Sequence, residues 1–424
     1  YLKLERAIDA VKIFKEALFH SPNNFPCLVN LSNALIAIGE YDEAIQKSEL
    51  ALEIDPNCVE AMSNMGQGLS KVGRLTEAMS YLRQAVLLRP EDSRLINNLG
   101  FVEQSIGIVN CANATYKYAL SVNPNCTLAE RNLLINSLNV PDINPQQLHD
   151  LHVEYGQKHR SNRVKYGKFN RRDLNVNRKL HVGYLSSDFH AHPVGFNILP
   201  VINNHNPDNV EVFIYSQNEI NDEVCRQFKS RADNWIKIDN KSDAEVALQI
   251  EEDKIDILVF LAGRFDSNRP TICTLRPAPV QISFHDCATT GLPEMDFWLT
   301  DSFLHPKNTR EFFTEKLYRL PNFYQFNPPD DFPKVSVPPV QETGFITFGS
   351  FNKPEKINDV VIKLWAKILG EVPGSQLLMK YAAYFNDPIL VEYWQDKFSQ
   401  FGVDNGCLIF NDQNTDRISH LKTY

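Results

Sequence analysis

LHVGYLSSDFHAHPVGFNILPVI, Leu180 to Ile202, is the stretch on which the fold turns. Leu180–Leu185 is a short apolar run with the pattern of a buried strand. Ser186, Ser187 and Asp188 break it, as a strand-to-loop exit should. The loop carries Asp188, His190 and His192, Pro193 stiffens its far side, and a helix is expected from about Gly195. Polar, titratable groups at the carboxyl end of a parallel strand stand where open α/β sheets bind ligands. The same residues also fit a solvated loop with two surface histidines.

Downstream of this stretch, strands and helices alternate, which predicts a mainly parallel sheet. Strands are expected at 180–185, 210–216, 255–261, 280–284, 297–301 and 316–320, with helices at 195–204, 222–232, 242–252 and 268–275. The region reads as Rossmann-like but has no G-x-G-x-x-G, so a nicotinamide or flavin cofactor is not indicated. A proline-rich crossing, 326–341, precedes a second α/β unit. Its strands are expected at 345–349, 376–381 and 407–411, and its helices at 358–370, 387–400 and in ISHLKTY. Three strands do not complete a Rossmann domain, so the chain is expected to be cut at its C-terminal end. In GSFNKPEKIND, Asn352, Lys353 and Lys356 fall between strand and helix. Helix-start amides and two ammonium groups there could hold a diphosphate, or the lysines could simply flank a helix cap. In TTGLPEMDFWLTD, Thr289, Thr290 and Gly291 could offer donors to an anionic ligand or form an ordinary turn.

Upstream, the pattern is a repeat. Pro22, Pro56, Pro90 and Pro124 are 34 residues apart, and so are Gly39, Gly73 and Gly107. Ala10, Ala44, Ala78 and Ala112 share the period, as do Ala17, Ala51, Ala85 and Ala119. Small residues recurring every 34 positions are the tetratricopeptide signature. Full units run about 25–58, 59–92 and 93–126. Tyr1 falls inside a helix A, so a longer array is expected ahead of it. Asn30, Asn64, Asn98 and Asn132 share one register on helix A, the inner, concave face. They could form a ladder that grips the main chain of an extended protein substrate, or they could be packing or helix-terminal residues. Between array and sheet lies a transition: an amphipathic helix at Gln146–Arg160, then the basic stretch SNRVKYGKFNRRDLNVNRK, read as a linker or exposed loop. The expected division is therefore 1–140, 141–178, 179–340 and 341–424.

Composition sets outer bounds. At 424 residues, two or three domains are expected. A net charge of −9 argues against a general nucleic-acid footprint. No apolar run approaches the roughly 18 residues of a membrane span, and no signal peptide shows. Eight scattered cysteines without a CxxC pair argue against a zinc site or disulfide framework and for a reducing compartment. In that setting the acceptor-like triplets at Asn113 and Asn125 are chance matches.

Taken together, the repeats with their asparagines, HVGYLSSDFHAHPV, DKIDILVFLAG, LRPAPVQIS, TTGLPEMDFWLTD and FITFGSFNKPEKIND…LWAKILGEVPGSQLLMK resemble the nucleocytoplasmic protein O-glycosyltransferases. That family comprises the O-linked N-acetylglucosamine transferases and the Spindly-type O-fucosyltransferases. The resemblance implies a tetratricopeptide α-solenoid followed by a GT-B glycosyltransferase of two Rossmann-like lobes, the second incomplete here. It implies transfer of N-acetylglucosamine or fucose from UDP-GlcNAc or GDP-fucose to Ser/Thr hydroxyls, inverting, with no metal and no cofactor. Protein substrates would bind the repeats, which also offer a surface for homo-oligomers; neither nucleic acid nor membrane is expected as a partner. The setting would be cytoplasmic, or nuclear in a eukaryote. Asp188 and His192 match the family's SDF-x-x-HP loop at sugar and acceptor, and Lys356 the lysine that stabilises the leaving diphosphate. Asn352 and Lys353 share that loop, and Thr289 and Thr290 match the turn lining the sugar pocket. The chain departs from the family at FHDCATTG, where His285, Asp286 and Cys287 replace a Gly-Tyr-Pro core in a loop one residue shorter. Phe260 and Arg264 replace an acidic or polar residue and a histidine. These departures leave open a second reading, a catalytically degenerate scaffold that binds proteins through its repeats.

Overall fold

In the computed structural model, which describes residues 2–160, 175, 177–218, 220–265, 267–323, 328, 332–413 and 416–423, the 34-residue period becomes pairs of helices. Helix α1 (Leu2–His20) precedes three full pairs: α2 (Phe25–Ile38) with α3 (Tyr41–Ile54), α4 (Val59–Lys71) with α5 (Leu75–Leu88), and α6 (Ser93–Ile106) with α7 (Val109–Val122). Helix α8 (Thr127–Ser137) follows. Ala44, Ala51, Ala78, Ala85, Ala112 and Ala119 are all fully buried, because only a methyl group fits where the helices cross. Gly39, Gly73 and Gly107 have φ of 88°, 88° and 96°, the left-handed conformation that ends helix A of each pair.

The chain forms two compact units, Tyr1–Pro141 with Pro329–Tyr424, and Asp142–Pro328. The second unit begins with α9 (Pro145–His159), started by an Asn144–Gln147 capping box. Of the basic linker, residues 161–174 and 176 lie outside the described residues. Then come β1 (Leu180–Ser186), α10 (Pro193–Asn203), β2 (Val210–Ser216), α11 (Glu223–Arg231), β3 (Asn234–Lys237), α12 (Asp243–Glu252), β4 (Ile257–Leu261), β5 (Val280–Phe284), β6 (Phe297–Asp301) and β7 (Lys316–Leu320). Among the described residues the strands pair in parallel in the order β3-β2-β1-β4-β5-β6-β7. The order reverses between β1 and β4, the switch point where such sheets open a crevice. Alternate residues feed two cores. Phe213 and Tyr215 pack on one face with Leu185 and Phe260, and Val212 and Ile214 on the other with Val182 and Tyr184.

Two expectations change here. Residues 268–275 form a 3-10 segment, Pro270–Leu275, closed by Arg276 at φ 51°, rather than an α-helix. The edge strand β3 escaped the sequence reading because Asn-Trp-Ile-Lys is short and has no apolar run.

The remaining elements are α13 (Val340–Thr343), β8 (Thr347–Ser350), α14 (Asp359–Glu371), β9 (Gln376–Lys380), α15 (Pro388–Ser399), β10 (Leu408–Asn411) and α16 (Arg417–Leu421). Their strands run parallel in the order β10-β9-β8. Residues 341–424 were expected to begin a lobe of their own; within the first unit they share one core with the array. Leu69, Leu75, Val102 and Ile106 of the repeats pack in a single cluster with Ile357, Leu390, Trp394 and Phe398. Each such buried side chain contributes about 1.5–3 kcal/mol, so the repeats act as a layer of this α/β region. Polar contacts fix the register. Tyr384 Oη donates to the Ile106 carbonyl at 2.7 Å, and Trp394 Nε1 donates to Tyr384 Oη at 3.0 Å. Asp387 caps α15 and also accepts from the Thr76 amide and hydroxyl at 3.0 and 2.7 Å. Helix α9, expected in a transition piece at 141–178, lies within the second unit.

Candidate active site

Within the second unit, the exits of β1 and β4 meet at the switch point. Ser186 ends β1, and its hydroxyl accepts from the Asp188 amide at 3.0 Å. Asp188 is 2% exposed; Oδ1 accepts from the Ser187 hydroxyl at 2.6 Å and Oδ2 from Asn268 Nδ2 at 2.9 Å. Asn268, in the loop after β4, also takes the Ser187 amide and the Ser186 hydroxyl on its side-chain oxygen, at 2.8 and 3.0 Å. One asparagine therefore ties down the start of the exit loop, Ser186 to Asp188. His192 caps α10: its Nδ1 accepts the Val194 amide at 3.3 Å and lies 4.0 Å from Asp188 Oδ2. An accepting Nδ1 puts the proton of the neutral ring on Nε2. The structure thus brings Asp188 and His192 together. Asn268 was not singled out in the sequence; the available signal was a polar residue just beyond the strand that neighbours β1.

The exits of β4 and β5 form a second cluster. Arg264 is buried, with Nη1 2.9 Å from His152 Nδ1 on α9 and its guanidinium 4.4 Å from the Tyr155 ring centre. Nη1 also reaches the Thr289 carbonyl, and Nη2 donates to the Thr290 carbonyl. Burial, then the Arg264 charge, pushes the His152 pKa down to about 3, so the ring is neutral and accepts from Arg264. Thr289 and Thr290 were expected to offer hydroxyl donors to the sugar nucleotide. Instead both hydroxyls donate to the buried Glu315 carboxylate, Thr289 at 2.7 Å, and the Thr290 amide does so at 2.8 Å. A buried carboxylate needs those donors more than solvent-facing chemistry can use them. The turn's role here is to hold Glu315 and to present its carbonyls to Arg264. Asp286 lies against Gly263, where an added Cβ would come within 2.0 Å of its carboxyl. Burial pushes the Asp286 pKa up to about 6, opposed by Arg264. His285, in a left-handed conformation at φ 59°, is pushed down to about 4 by burial.

In the first unit, Lys356 ends a 3-10 turn, Pro354–Lys356, before α14, and is exposed together with Asn352 and Lys353. Asn358 caps α14 by accepting the Val361 amide at 3.0 Å. Asn352 Nδ2 is 3.5 Å from Ser350 Oγ, and Lys353 Nζ lies 3.8 Å from Glu355. On the array, a groove of about 370 Å³ is lined by Asn30, Asn64 and Asn98, with Gln67, Glu60 and Arg94 around them. Asn64 is 6% exposed, and its amide donates to the Val29 carbonyl at 3.1 Å. Asn132 donates to Asn97 at 2.9 Å. The register thus serves packing at two of its four positions while three of the asparagines line the groove. Among the described residues, no cluster of metal-ligating side chains occurs.

Residues 158–330 match the model of glycosyl transferase family 41, and 25–58 and 58–89 match tetratricopeptide repeat models. The chain is 31% identical over 276 residues to the probable UDP-N-acetylglucosamine–peptide N-acetylglucosaminyltransferase SPINDLY of Solanum lycopersicum, covering 64% of this chain and 30% of that protein. It is 34% identical over 220 residues to the probable enzyme of the same activity, SEC, of Arabidopsis thaliana, covering 49% of this chain and 22% of that one. The chain thus spans less than a third of these relatives' length. A mutant of the Thermobaculum terrenum O-GlcNAc transferase superposes with a TM-score of 0.86 at 28% identity, over 94% of this chain and 76% of that one. Tetratricopeptide pairs, a doubly wound parallel sheet and these matches agree: residues 158–330 carry a glycosyl transferase family 41 region, preceded by tetratricopeptide repeats.

Proposed function

We propose that the protein is a protein O-glycosyltransferase that moves a sugar from a nucleotide diphosphate to Ser/Thr hydroxyls, inverting and without a metal. The names of its relatives favour UDP-N-acetylglucosamine as donor, with GDP-fucose as the competing donor. The observation that carries the reading is the β1 exit. Asp188 is held at the sheet's switch point by Asn268, with His192 Nδ1 4.0 Å from its carboxylate, in the loop that the family resemblance assigns to sugar and acceptor. His192, with its proton on Nε2, acts as a donor that positions the sugar or acceptor. Lys356 supplies positive charge to the diphosphate as the sugar–oxygen bond breaks, where fixed charge is worth most in the transition state. Asn352 and Lys353 accompany it at the diphosphate, and Asn30, Asn64 and Asn98 grip the acceptor's main chain.

A second reading, a repeat scaffold that no longer turns over, is favoured by the His-Asp-Cys replacement and by the commitment of both threonine hydroxyls to Glu315. Labelling of a mixed protein acceptor pool by the full-length protein, with each nucleotide sugar in turn, separates them. Transfer from UDP-N-acetylglucosamine supports the proposal, and transfer from GDP-fucose alone reassigns the donor. Transfer from neither, with acceptor binding retained, establishes the scaffold.

A further inference from the structure

The 3-10 turn that carries Lys356 is built against the array. Pro354 is buried, and its carbonyl oxygen would lie 3.2 Å from a Cβ on Gly107, the left-handed glycine that ends α6. Next to it, Gln104 of α6 is 7% exposed and donates through Nε2 to Glu355 Oε2 at 3.0 Å. The amide is oriented by a second bond: the fully buried Tyr116 hydroxyl donates to Gln104 Oε1 at 3.0 Å. With Oε1 accepting and Nε2 donating, only one orientation of the amide satisfies both neighbours. The other oxygen of Glu355 lies 3.8 Å from Lys353 Nζ, and the turn closes through the Lys356 amide on the Lys353 carbonyl at 3.0 Å. Thus both carboxylate oxygens of the residue beside Lys356 are tied, one of them to a repeat helix.

We propose that Gln104 is a positioning residue for Lys356: through Glu355 it fixes the turn from which the lysine reaches the leaving diphosphate. This rests on the reading of Lys356 given above. Asn98, six residues earlier on α6, lines the acceptor groove, so one helix serves the acceptor at one end and sets the lysine turn at the other.

In the full-length protein, Gln104→Leu and Glu355→Ala should each lower kcat about tenfold, the scale of loss from a displaced catalytic group, with donor KM changed by less than about twofold. Glu355→Gln should stay near the unmodified protein, because its carbonyl oxygen still accepts from Gln104. The Gln104→Leu/Glu355→Ala double variant should be no worse than either single one. Thr76→Val, which removes a side-chain bond between the array and Asp387, should lower Tm and leave kcat unchanged. Lys356→Ala measured alongside keeps the two ideas apart. If it leaves kcat intact, the leaving-group reading itself fails. If it lowers kcat while Glu355→Ala does not, if the two single effects add, or if Thr76→Val lowers kcat equally, the positioning role of Gln104 is wrong.

Discussion

Asp286 holds a carboxyl oxygen, Oδ2, shut away from solvent and without a hydrogen-bond partner among the described residues. Its pKa is raised to about 6 from the ordinary 3.8, so the folded state binds the proton more tightly than the unfolded chain. That contribution is fully present below pH about 4 and is lost as pH rises through 6. Asp286→Asn should therefore raise Tm at pH 7.5, by the equivalent of up to about 3 kcal/mol, with the gain closing by pH 4 in melts across that range. Lys356→Ala should lower kcat by about two orders of magnitude with a smaller effect on donor affinity. A variant that only raises KM would make the lysine a uniform binding contact. His192 offers a sharper distinction. If its Nε2–H positions a substrate, His192→Gln, which keeps a donor near that place, should retain much more turnover than His192→Ala. Equal and severe losses would point to proton abstraction instead. The placement of Asp188 and His192 side by side was legible because both follow a strand exit. Asn268 and Gln104 were not, because their partners lie 80 and 251 residues away in sequence.

Among the elements, α9 shows how closely backbones can approach. An added Cβ on Gly156 would lie 1.8 Å from the Gly291 carbonyl oxygen, and one on Gly291 would lie 1.9 Å from that of His152. Gly156→Ala should destabilise the protein by about 2 kcal/mol or more, because neither backbone has room to yield. Gly370 in α14 has nothing within 4 Å, so Gly370→Ala should stabilise by about 0.5–1 kcal/mol. Thermal melts of the pair check both signs. The strands expected at 210–216, 280–284, 297–301 and 316–320 coincide with observed ones; 210–216 is a near-continuous apolar run because β2 is largely buried, whereas β7 is a partly exposed edge. The helix expected at 268–275 is a 3-10 segment between Pro270 and a left-handed Arg276. Helix α9 was legible as an amphipathic helix, but its packing was not, since glycine contacts leave no apolar pattern.

For the whole molecule, the test lies in the groove. Asn64→Ala with Asn98→Ala should weaken binding of long acceptor proteins by about 1–3 kcal/mol in total, seen as a raised acceptor KM. Short peptides that do not reach the groove should be turned over normally. A small fall in Tm should accompany this, because Asn64 also holds the Val29 carbonyl. The 34-residue period made the array plain, yet not its union with the region after 329. Leu69, Leu75 and Ile106 look like ordinary repeat-packing residues, and nothing in their spacing reveals a further layer against them. That union has an evolutionary consequence. Solenoids commonly gain and lose whole units, but here Gly73 abuts Ala383 and Gly107 abuts Pro354, which pins the phase of the second and third units to the loops they support. Insertions or deletions of a repeat should accordingly be found among homologues ahead of residue 59 and be selected against between 59 and 126, where a shift of one unit would carry the lysine turn away from its support.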